Sequence, residues 1–330
     1  MNEQFNALVV DKTENDFSVK VKEMTLEELP QGDVLIKVLY SGINYKDGLA
    51  SIPDGKIVRS YPFIPGIDLA GVVVSSEDPR FKEGDEVIAT SYEIGVSHFG
   101  GYSEYARIPA DWIVPLPAGL TLKEAMIYGT AGFTAALSVQ RLEENGLSPD
   151  KGKVLVTGAT GGVGGIAVSM LAKRGYDVVA STGKESEKDY LTKLGAAEIV
   201  SRDDVYNGKI KALDKEIWAG AVDPVGGESL ASILSKISYT GSVAVSGLTG
   251  GGNVPTTVFP FILRGVNLLG IDSVYCPMEK RKAIWNRMAS DLKPEDLSAF
   301  VQQEAALEEL PEILPMILKG KMRGRVIVRL

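Results

Sequence analysis

Twelve residues in the middle of the chain, VLVTGATGGVGG at 154–165, constrain the fold more than any other segment. Their apolar start is typical of a buried parallel strand, and the glycines allow a tight turn that brings the backbone close to a pyrophosphate. Residues 166–174 continue with a helical pattern, so the amide groups of the first helical turn would point at that phosphate. This arrangement predicts a dinucleotide-binding unit, and its mid-chain position means that a separate body precedes it.

Length and composition limit the class of protein. At 330 residues the chain suggests about two domains. With 35 basic and 43 acidic residues the net charge is −8 and no basic block stands out, which argues against a nucleic-acid surface. No apolar run approaches the roughly 20 residues that span a bilayer, and the polar start at 1–4 does not have a signal-peptide pattern. The single cysteine, Cys276, fits a reducing compartment, so we expect a cytoplasmic protein without a membrane partner.

The first part of the chain has the pattern of strands and turns. Short β-branched or alternating runs are separated by Pro, Gly, Asp and Asn, as in a small barrel or sandwich; they predict strands at 7–10, 17–22, 34–39, 70–74 and 86–89. A capping box at 121–124 then predicts a helix that continues to about Glu144.

From Lys153 onward the pattern alternates between strand and helix, which predicts a parallel sheet covered by helices on both faces. The predicted strands are 154–157, 177–180, 198–200, 220–223 and 242–245, and the predicted helices are 162–174 and stretches near 187–194, 203–214 and 228–236. Helices around 278–292 and 307–319 and a strand at 325–328 follow. We place this tail back on the first body, so that the nucleotide-binding unit is inserted.

The residues beyond the second strand of this sheet favour NADPH over NADH. Folds that prefer NAD usually have an acidic residue at the tip of this strand to bind the ribose 2′-hydroxyl. Here the strand runs into Ser181, Thr182 and Lys184, and Arg202 follows the third strand. Hydroxyls and cations suit a 2′-phosphate; the alternative interpretation is a solvated turn whose lysine faces water.

Metal ligands and nucleophiles are scarce. One histidine, His98, and one cysteine cannot supply a structural Cys₄ zinc site. His98 is either a surface histidine or a loop residue near substrate. Cys276 is either a packed thiol or a nucleophile, although no base lies near it in sequence. No Gly-x-Ser-x-Gly elbow occurs, which disfavours hydrolase chemistry.

Three glycine-containing segments are further candidates. The loop at 41–48 includes Tyr45, whose hydroxyl can donate a hydrogen bond to a carbonyl or a nicotinamide; the alternative is an ordinary turn. The small residues at 129–135 would let a flat cofactor or another backbone approach, or serve helix packing. The loop at 246–252 follows a strand of the parallel sheet, where ligands bind at the carboxyl ends.

Several motifs together give a resemblance that covers almost the whole chain. They are Asn44-Tyr45-Lys46-Asp47, the segments 62–71, 129–135 and 158–164, and 261–266. On these the chain resembles the medium-chain dehydrogenase/reductase superfamily, in its zinc-free quinone-oxidoreductase branch and the YhdH/YhfP family, which includes acrylyl-CoA reductases. The resemblance implies an α/β protein: a GroES-like β-rich catalytic domain at 1–124, an inserted Rossmann domain with a doubly wound parallel sheet at 125–276, and a return to the catalytic domain at 277–330.

The resemblance also implies site residues. Zinc-dependent relatives have Cys in the first motif and Gly-His-Glu in the second, where this chain has Asn44 or its neighbours and Gly66-Ile67-Asp68, so the metal would be lost and Asp68 would be structural in its turn. Some relatives have Arg where this chain has Lys184. A lysine binds a phosphate less selectively, because it is a point charge without the paired donors of a guanidinium. The implied cofactor contacts are Tyr45, Thr160, Gly161, Gly162, Val163, Ser181, Thr182, Lys184, Arg202, Leu248, Ile262 and Ser273.

The sequence and the resemblance together predict an NADPH-dependent oxidoreductase. Hydride would pass to the activated carbon–carbon double bond of an enone or a short enoyl thioester such as acrylyl-CoA, or to a quinone, with Tyr45 as the candidate catalytic donor. The alternatives are a non-catalytic NADPH-binding or structural protein and an alcohol dehydrogenase. The resemblance also implies a homodimer in which the strand at 266–271 pairs across a two-fold axis.

Overall fold

A computed structural model describes residues 4–330, which form two compact units. The first unit contains the chain through Thr130 together with Val274–Ala289 and Phe300–Leu330. The second contains Ala131–Ser273 and Ser290–Ala299. The sequence placed 277–330 wholly with the first body, whereas residues 290–299 lie in the second unit. There, Asp291 is 3.5 Å from the Arg174 guanidinium.

The strands of the first unit are β1 (Gln4–Lys12), β2 (Phe17–Thr25), β3 (Val34–Gly42), β4 (Asp68–Ser76), β5 (Glu86–Thr90), β6 (Tyr105–Ile108) and β7 (Ile113–Pro115). Those of the second unit are β8 (Val154–Val156), β9 (Val178–Thr182), β10 (Glu198–Ser201), β11 (Trp218–Asp223), β12 (Ile237–Val245) and β13 (Asn267–Gly270). β14 (Val301–Ala306) and β15 (Arg325–Arg329) return to the first unit.

The helices in chain order are α1 (Tyr45–Ala50), α2 (Leu122–Glu144), α3 (Gly162–Lys173), α4 (Lys188–Lys193), α5 (Arg202–Val205), α6 (Gly227–Lys236), α7 (Phe259–Arg264), α8 (Met278–Met288) and α9 (Leu310–Leu318). Gly129 interrupts α2 with φ 49° and ψ −155°, so the helix contains a kink. Within residues 4–330, none of the helices has the length and apolar character needed to cross a bilayer.

The first unit is built on a largely antiparallel sheet. Its strand order is β14-β15-β3-β4-β5-β7, β6 pairs with β3, and β1 forms a separate hairpin with β2. Alternate residues of β3 (Val34, Ile36 and Val38) are buried against Leu69 of β4 and Val87 of β5. The predicted β-rich body is therefore confirmed.

The second unit has a parallel sheet with strand order β10-β9-β8-β11-β12-β13. Counted from β8, this is the 3-2-1-4-5-6 order of a doubly wound dinucleotide fold. All of β8 is buried, as expected for a strand covered on both faces. The predicted inserted α/β unit is confirmed, and β13 is the strand at one edge of its sheet.

Three local predictions differ from the structure. The helix expected near 203–214 is only α5, because Tyr206 is extended, Gly208 has φ 84°, and Val205 is the one side chain that α5 buries. The helix expected around 278–292 ends at Met288, and α9 begins at Leu310 after a short 3₁₀ turn at Leu307–Glu309. The strands β6, β7 and β14 were not predicted.

Candidate functional site

The glycine turn of the second unit joins β8 to α3. Gly158 has φ 54°, in the left-handed region that glycine adopts without strain, and its carbonyl accepts the N–H of Gly161. A Cβ at Gly164 would lie 2.3 Å from the Gly158 oxygen, so the helix can start this close to the turn only with glycine there. Thr160 is buried within the turn.

The first turn of α3 leaves backbone donors available. Gly161 is the N-cap, and the N–H of Gly165 is the first that donates back along the helix, to the Gly161 carbonyl. The N–H groups of Gly162, Val163 and Gly164 therefore have no acceptor within the helix. With the helix dipole they favour an anion such as a dinucleotide pyrophosphate.

The end of β9 and the start of α5 bring together the predicted phosphate-binding residues. Thr182 pairs with Ser201 in the parallel register, which places Arg202 beside this strand end. The Thr182 hydroxyl accepts the Lys184 N–H at 3.0 Å, and the Ser181 hydroxyl donates to the Ser201 carbonyl at 3.4 Å. Both hydroxyl residues are buried, Lys184 is half-buried and Arg202 is exposed.

The segment Pro224–Val225 lies between the glycine turn and the loop after β12 and contacts both. Gly158 lies next to Pro224 and Val225, and the Gly250 N–H donates to the Val225 carbonyl. Leu248 of this loop is 69% exposed, and Ile262 on α7 is 68% exposed. Ser273 is half-buried at the end of the segment that follows β13.

Asp223 is a polar residue of this unit that the sequence did not single out. It ends β11, next to β8, and accepts hydrogen bonds from the Thr157 hydroxyl and from the Gly226 N–H. Burial raises the pKa of the Asp223 carboxyl. Its position at the carboxyl end of a buried strand is a sequence signal that could have indicated it, because ligand sites form at strand ends in such sheets. Its hydrogen bonds tie the glycine turn to the Pro224–Gly226 segment.

Tyr45 lies in the first unit as the first residue of α1. Its side chain is 44% exposed, and among residues 4–330 its hydroxyl has no hydrogen-bond partner. The N-cap of α1 is Asn44, whose backbone N–H donates to the Asp47 carboxylate at 2.8 Å. The start of this helix is therefore fixed, and the Tyr45 hydroxyl remains available to a ligand.

Next to the start of α1 lies a polar group that we call the Asp68 cluster: the buried residues Asn44, Asp47, Asp68 and Arg325 and the half-buried Thr130. Asp68 accepts the Asn44 amide N–H at 2.7 Å, the Thr130 hydroxyl at 2.6 Å and the Thr130 N–H at 2.9 Å. A Cβ at Gly129 would lie 2.4 Å from the Asp68 carboxylate, so this glycine allows the close approach of α2. The expected structural role of Asp68 thus extends beyond its own turn.

Arg325 and Asp47 complete the cluster. Arg325 donates to the Ile43 carbonyl at 2.8 Å and to the Asn44 amide oxygen at 3.1 Å. Burial, together with the negative charge of Asp68, raises the pKa of Asp47 to about 7. Burial also lowers the pKa of the Arg325 guanidinium. Since β15, α1, β4 and α2 each contribute a residue, the cluster positions the start of α1.

The side chains of His98 and Cys276 are packed against neighbouring residues. The His98 ring lies edge-on to Trp112, its Nε2 is 2.7 Å from the Arg107 carbonyl oxygen, and burial lowers its pKa. Cys276 is buried, with its sulfur 3.9 Å from the Pro277 carbonyl oxygen. These contacts favour the structural interpretation of both residues.

A two-unit molecule with a doubly wound sheet and a glycine turn is typical of dinucleotide-dependent oxidoreductases, and comparisons with known proteins give the family. Residues 30–118 match the model for the alcohol dehydrogenase GroES-like domain, and residues 162–290 match that for zinc-binding dehydrogenase. YhfP of Bacillus subtilis, named as a quinone oxidoreductase, is 69% identical over 100% of both chains. The acrylyl-CoA reductase AcuI of Ruegeria pomeroyi is 52% identical over 98% of both.

Solved structures agree with this assignment. The structure of Bacillus subtilis YhfP with NAD bound has a TM-score of 0.98 at 69% identity, covering 99% of this chain and 100% of that one. The YhdH oxidoreductase of Salmonella enterica in complex with NADP has a TM-score of 0.95 at 46% identity, with the same coverage. The chain belongs to the medium-chain dehydrogenase/reductase superfamily, in the group that contains YhfP, YhdH and AcuI.

The second family model is described as zinc-binding, but this chain has few of the side chains that usually bind zinc. The sequence has one histidine and one cysteine, whereas zinc sites are built mainly from several such residues. Within residues 4–330, no three His, Cys, Asp or Glu side chains form a group that could hold a metal. The Asp68 oxygens are already bonded to Asn44 and Thr130.

Proposed function

We propose that this protein is an NADPH-dependent oxidoreductase that transfers hydride to an activated carbon–carbon double bond, or to a quinone, without zinc. The substrate class is an enone or a short enoyl thioester such as acrylyl-CoA. The observation that carries the proposal is the 52% identity to an acrylyl-CoA reductase over 98% of both chains. The scarcity of zinc ligands supports the metal-free form of the reaction.

The second unit holds the cofactor in this proposal. The N–H groups at the start of α3 bind the pyrophosphate, and Ser181, Thr182, Lys184 and Arg202 bind the 2′-phosphate. Leu248, Ile262 and Ser273 line the nicotinamide end, as the family resemblance implies. The bound cofactor supplies a hydride to the substrate. Because a YhfP structure contains NAD and a YhdH structure contains NADP, NADH is the alternative donor to be compared with NADPH.

Tyr45 is the catalytic residue that we propose in the first unit. When hydride adds to the β-carbon of an enoyl thioester, negative charge develops on the carbonyl oxygen, and a hydroxyl donor stabilises it. The Tyr45 hydroxyl is free of partners among the described residues and is exposed enough to serve as this donor. A proton from water or from Tyr45 then completes the reduction at the α-carbon. The Asp68 cluster positions the helix that begins at Tyr45.

An acceptor screen tests the proposed function. The purified protein is mixed with NADPH, and cofactor oxidation is followed with acrylyl-CoA, with a simple enone, with a small quinone and without acceptor. We expect acceptor-dependent oxidation with at least one of these classes. NADPH binding without any acceptor-dependent rate would favour the non-catalytic alternative, and oxidation of alcohols with NADP⁺ in place of these reductions would favour an alcohol dehydrogenase.

We also propose that the protein is a homodimer formed through β13. This strand lies at the edge of the sheet, and the Leu268 side chain is 40% exposed there. An edge strand has unpaired backbone groups that can pair with a second copy. Sedimentation that shows only monomer at micromolar concentration would refute the dimer.

A further inference from the structure

Gly183, which directly follows β9, leaves a space that the Arg202 side chain occupies. A Cβ built on Gly183 would lie 2.8 Å from Arg202 Nε and 3.0 Å from Cζ. Carbon atoms of real side chains are hardly ever found closer than 3.0 Å to a neighbour. A side chain at position 183 and the guanidinium in its observed place therefore exclude each other.

The backbone at position 183 does not itself require glycine. Gly183 is absent from the positive-φ glycines of the described chain, so an alanine could adopt its conformation. It is exposed, and the atoms that a Cβ would meet belong to the end of a flexible, exposed arginine. Replacing Gly183 by alanine should thus move the guanidinium and leave the fold intact.

The Arg202 guanidinium is available to a ligand. Within residues 4–330 it has neither an ion pair nor a hydrogen bond, although Asp203 and Asp204 follow it in sequence. The Asp204 carboxylate instead accepts from the Ser201 N–H at 2.8 Å and from the Ser201 hydroxyl at 2.7 Å. All guanidinium donors are consequently unused at a strand end with two buried hydroxyl residues. A guanidinium offers paired donors that match a phosphate.

We propose that Gly183 is a specificity-determining residue that acts through Arg202: the missing side chain lets the guanidinium lie against the β9 turn, where it binds the 2′-phosphate of NADPH. This inference rests on the proposed function and adds a residue to it. Gly183 has no side chain with which to bind the cofactor, and its effect is the position of a neighbouring cation. NADH has no 2′-phosphate, so its binding does not depend on this position.

The test is a double-mutant cycle read by equilibrium binding. Dissociation constants of NADPH and NADH are measured for the wild type, Gly183→Ala, Arg202→Ala and the double variant. Losing a charge-assisted hydrogen bond costs about 1.5–3 kcal/mol, so Arg202→Ala should weaken NADPH binding about tenfold or more. Gly183→Ala should weaken it about threefold or more, and NADH binding should stay within about twofold for both variants. In the Arg202→Ala background, Gly183→Ala should have no further effect.

Lys209→Ala is the control, because it removes another exposed cation of the second unit, outside the β9 turn. It should leave both dissociation constants unchanged. The inference is overturned if Gly183→Ala leaves NADPH binding unchanged, weakens NADH equally, or acts equally with and without Arg202. Binding is measured without acceptor, so a wild type that prefers NADPH but reduces nothing would refute the proposed function alone.

Discussion

The Arg325 guanidinium lies 3.8 Å from the Asp68 carboxylate, and both side chains are buried. Taking two charges out of water is costly, and the pair persists because hydrogen bonds satisfy most of the remaining polar atoms. Arg325 donates to the Ile127 carbonyl at 3.0 Å and to the Ile43 carbonyl at 2.8 Å, and Asp68 accepts from Asn44 and Thr130. The pair links the last strand of the chain to the helix that begins at Tyr45.

Asp68→Asn should destabilise the protein strongly, because it removes the carboxylate charge that lies 3.8 Å from the buried Arg325 guanidinium. Breaking a buried pair from one side costs about 3–5 kcal/mol. Urea unfolding measures the change in the free energy of unfolding. Asp11→Asn is the control. The Asp11 carboxylate lies 3.3 Å from the Lys22 ammonium in a surface ion pair, and its loss should have a much smaller effect on the free energy of unfolding. Equal effects of the two variants would contradict the role of the cluster.

Asp47 should make stability depend on pH. Its pKa is raised from 3.8 to about 7, so between these values the folded chain holds a proton that the unfolded chain has released. The free energy of unfolding therefore falls as pH rises through this window, by about 1.4 kcal/mol per pH unit at most, and this contribution is constant below it. In Asp47→Asn the side chain at position 47 cannot titrate. The free energy of unfolding of this variant should therefore fall less steeply with rising pH than that of the wild type. Parallel pH profiles for the two proteins would show that Asp47 ionises normally in the fold.

Tyr45→Phe should lower kcat for the enoyl thioester by about 10²-fold, the effect of losing one donor to a developing oxyanion. Thermal stability should not change, since the hydroxyl has no hydrogen-bond partner among residues 4–330 and the side chain is 44% exposed. Tyr239→Phe, at a 70% exposed tyrosine of the second unit, is the matched control and should keep full activity. If kcat with both acrylyl-CoA and a small quinone is unchanged in Tyr45→Phe, the residue only packs.

Leu268→Pro should convert the proposed dimer into a monomer. The Ile271 N–H donates to the Val245 carbonyl of β12, and strand alternation then directs the Leu268 N–H to the open side of β13. Proline removes that donor and leaves the pairing with β12 in place. Leu268→Thr retains the N–H and should remain dimeric in sedimentation equilibrium. A dimeric proline variant would place the interface elsewhere.

The sequence predicted the second unit well because its signals are local. Buried parallel strands are continuous apolar runs such as Val154–Val156, and glycines mark the turns between elements. The first unit was harder, since β6, β7 and β14 are short or mostly polar and are strands only through their partners. The helix expected near 203–214 followed a polar pattern with too few apolar side chains to pack.

Only part of the candidate site follows from local sequence patterns. Ser181, Thr182 and Arg202 were predicted as phosphate ligands because they follow predicted strands, and the structure places the ends of these strands side by side. The Asp68 cluster was missed as a unit, since Arg325 bonds to Asn44 across 281 positions of sequence and no local pattern joins them. The role of Gly183 was hidden too, because it depends on where the Arg202 side chain lies.

Hydride transfer is the central claim, and an isotope experiment tests it most directly. The protein is incubated with acrylyl-CoA and NADPH carrying deuterium at both C4 positions, in the presence of a zinc chelator, and the product is analysed by mass spectrometry and NMR. The account predicts propionyl-CoA with one deuterium at the β-carbon. It also predicts that the rate is the same with and without the chelator. A product without deuterium, deuterium at the α-carbon, or a reaction abolished by the chelator would contradict it.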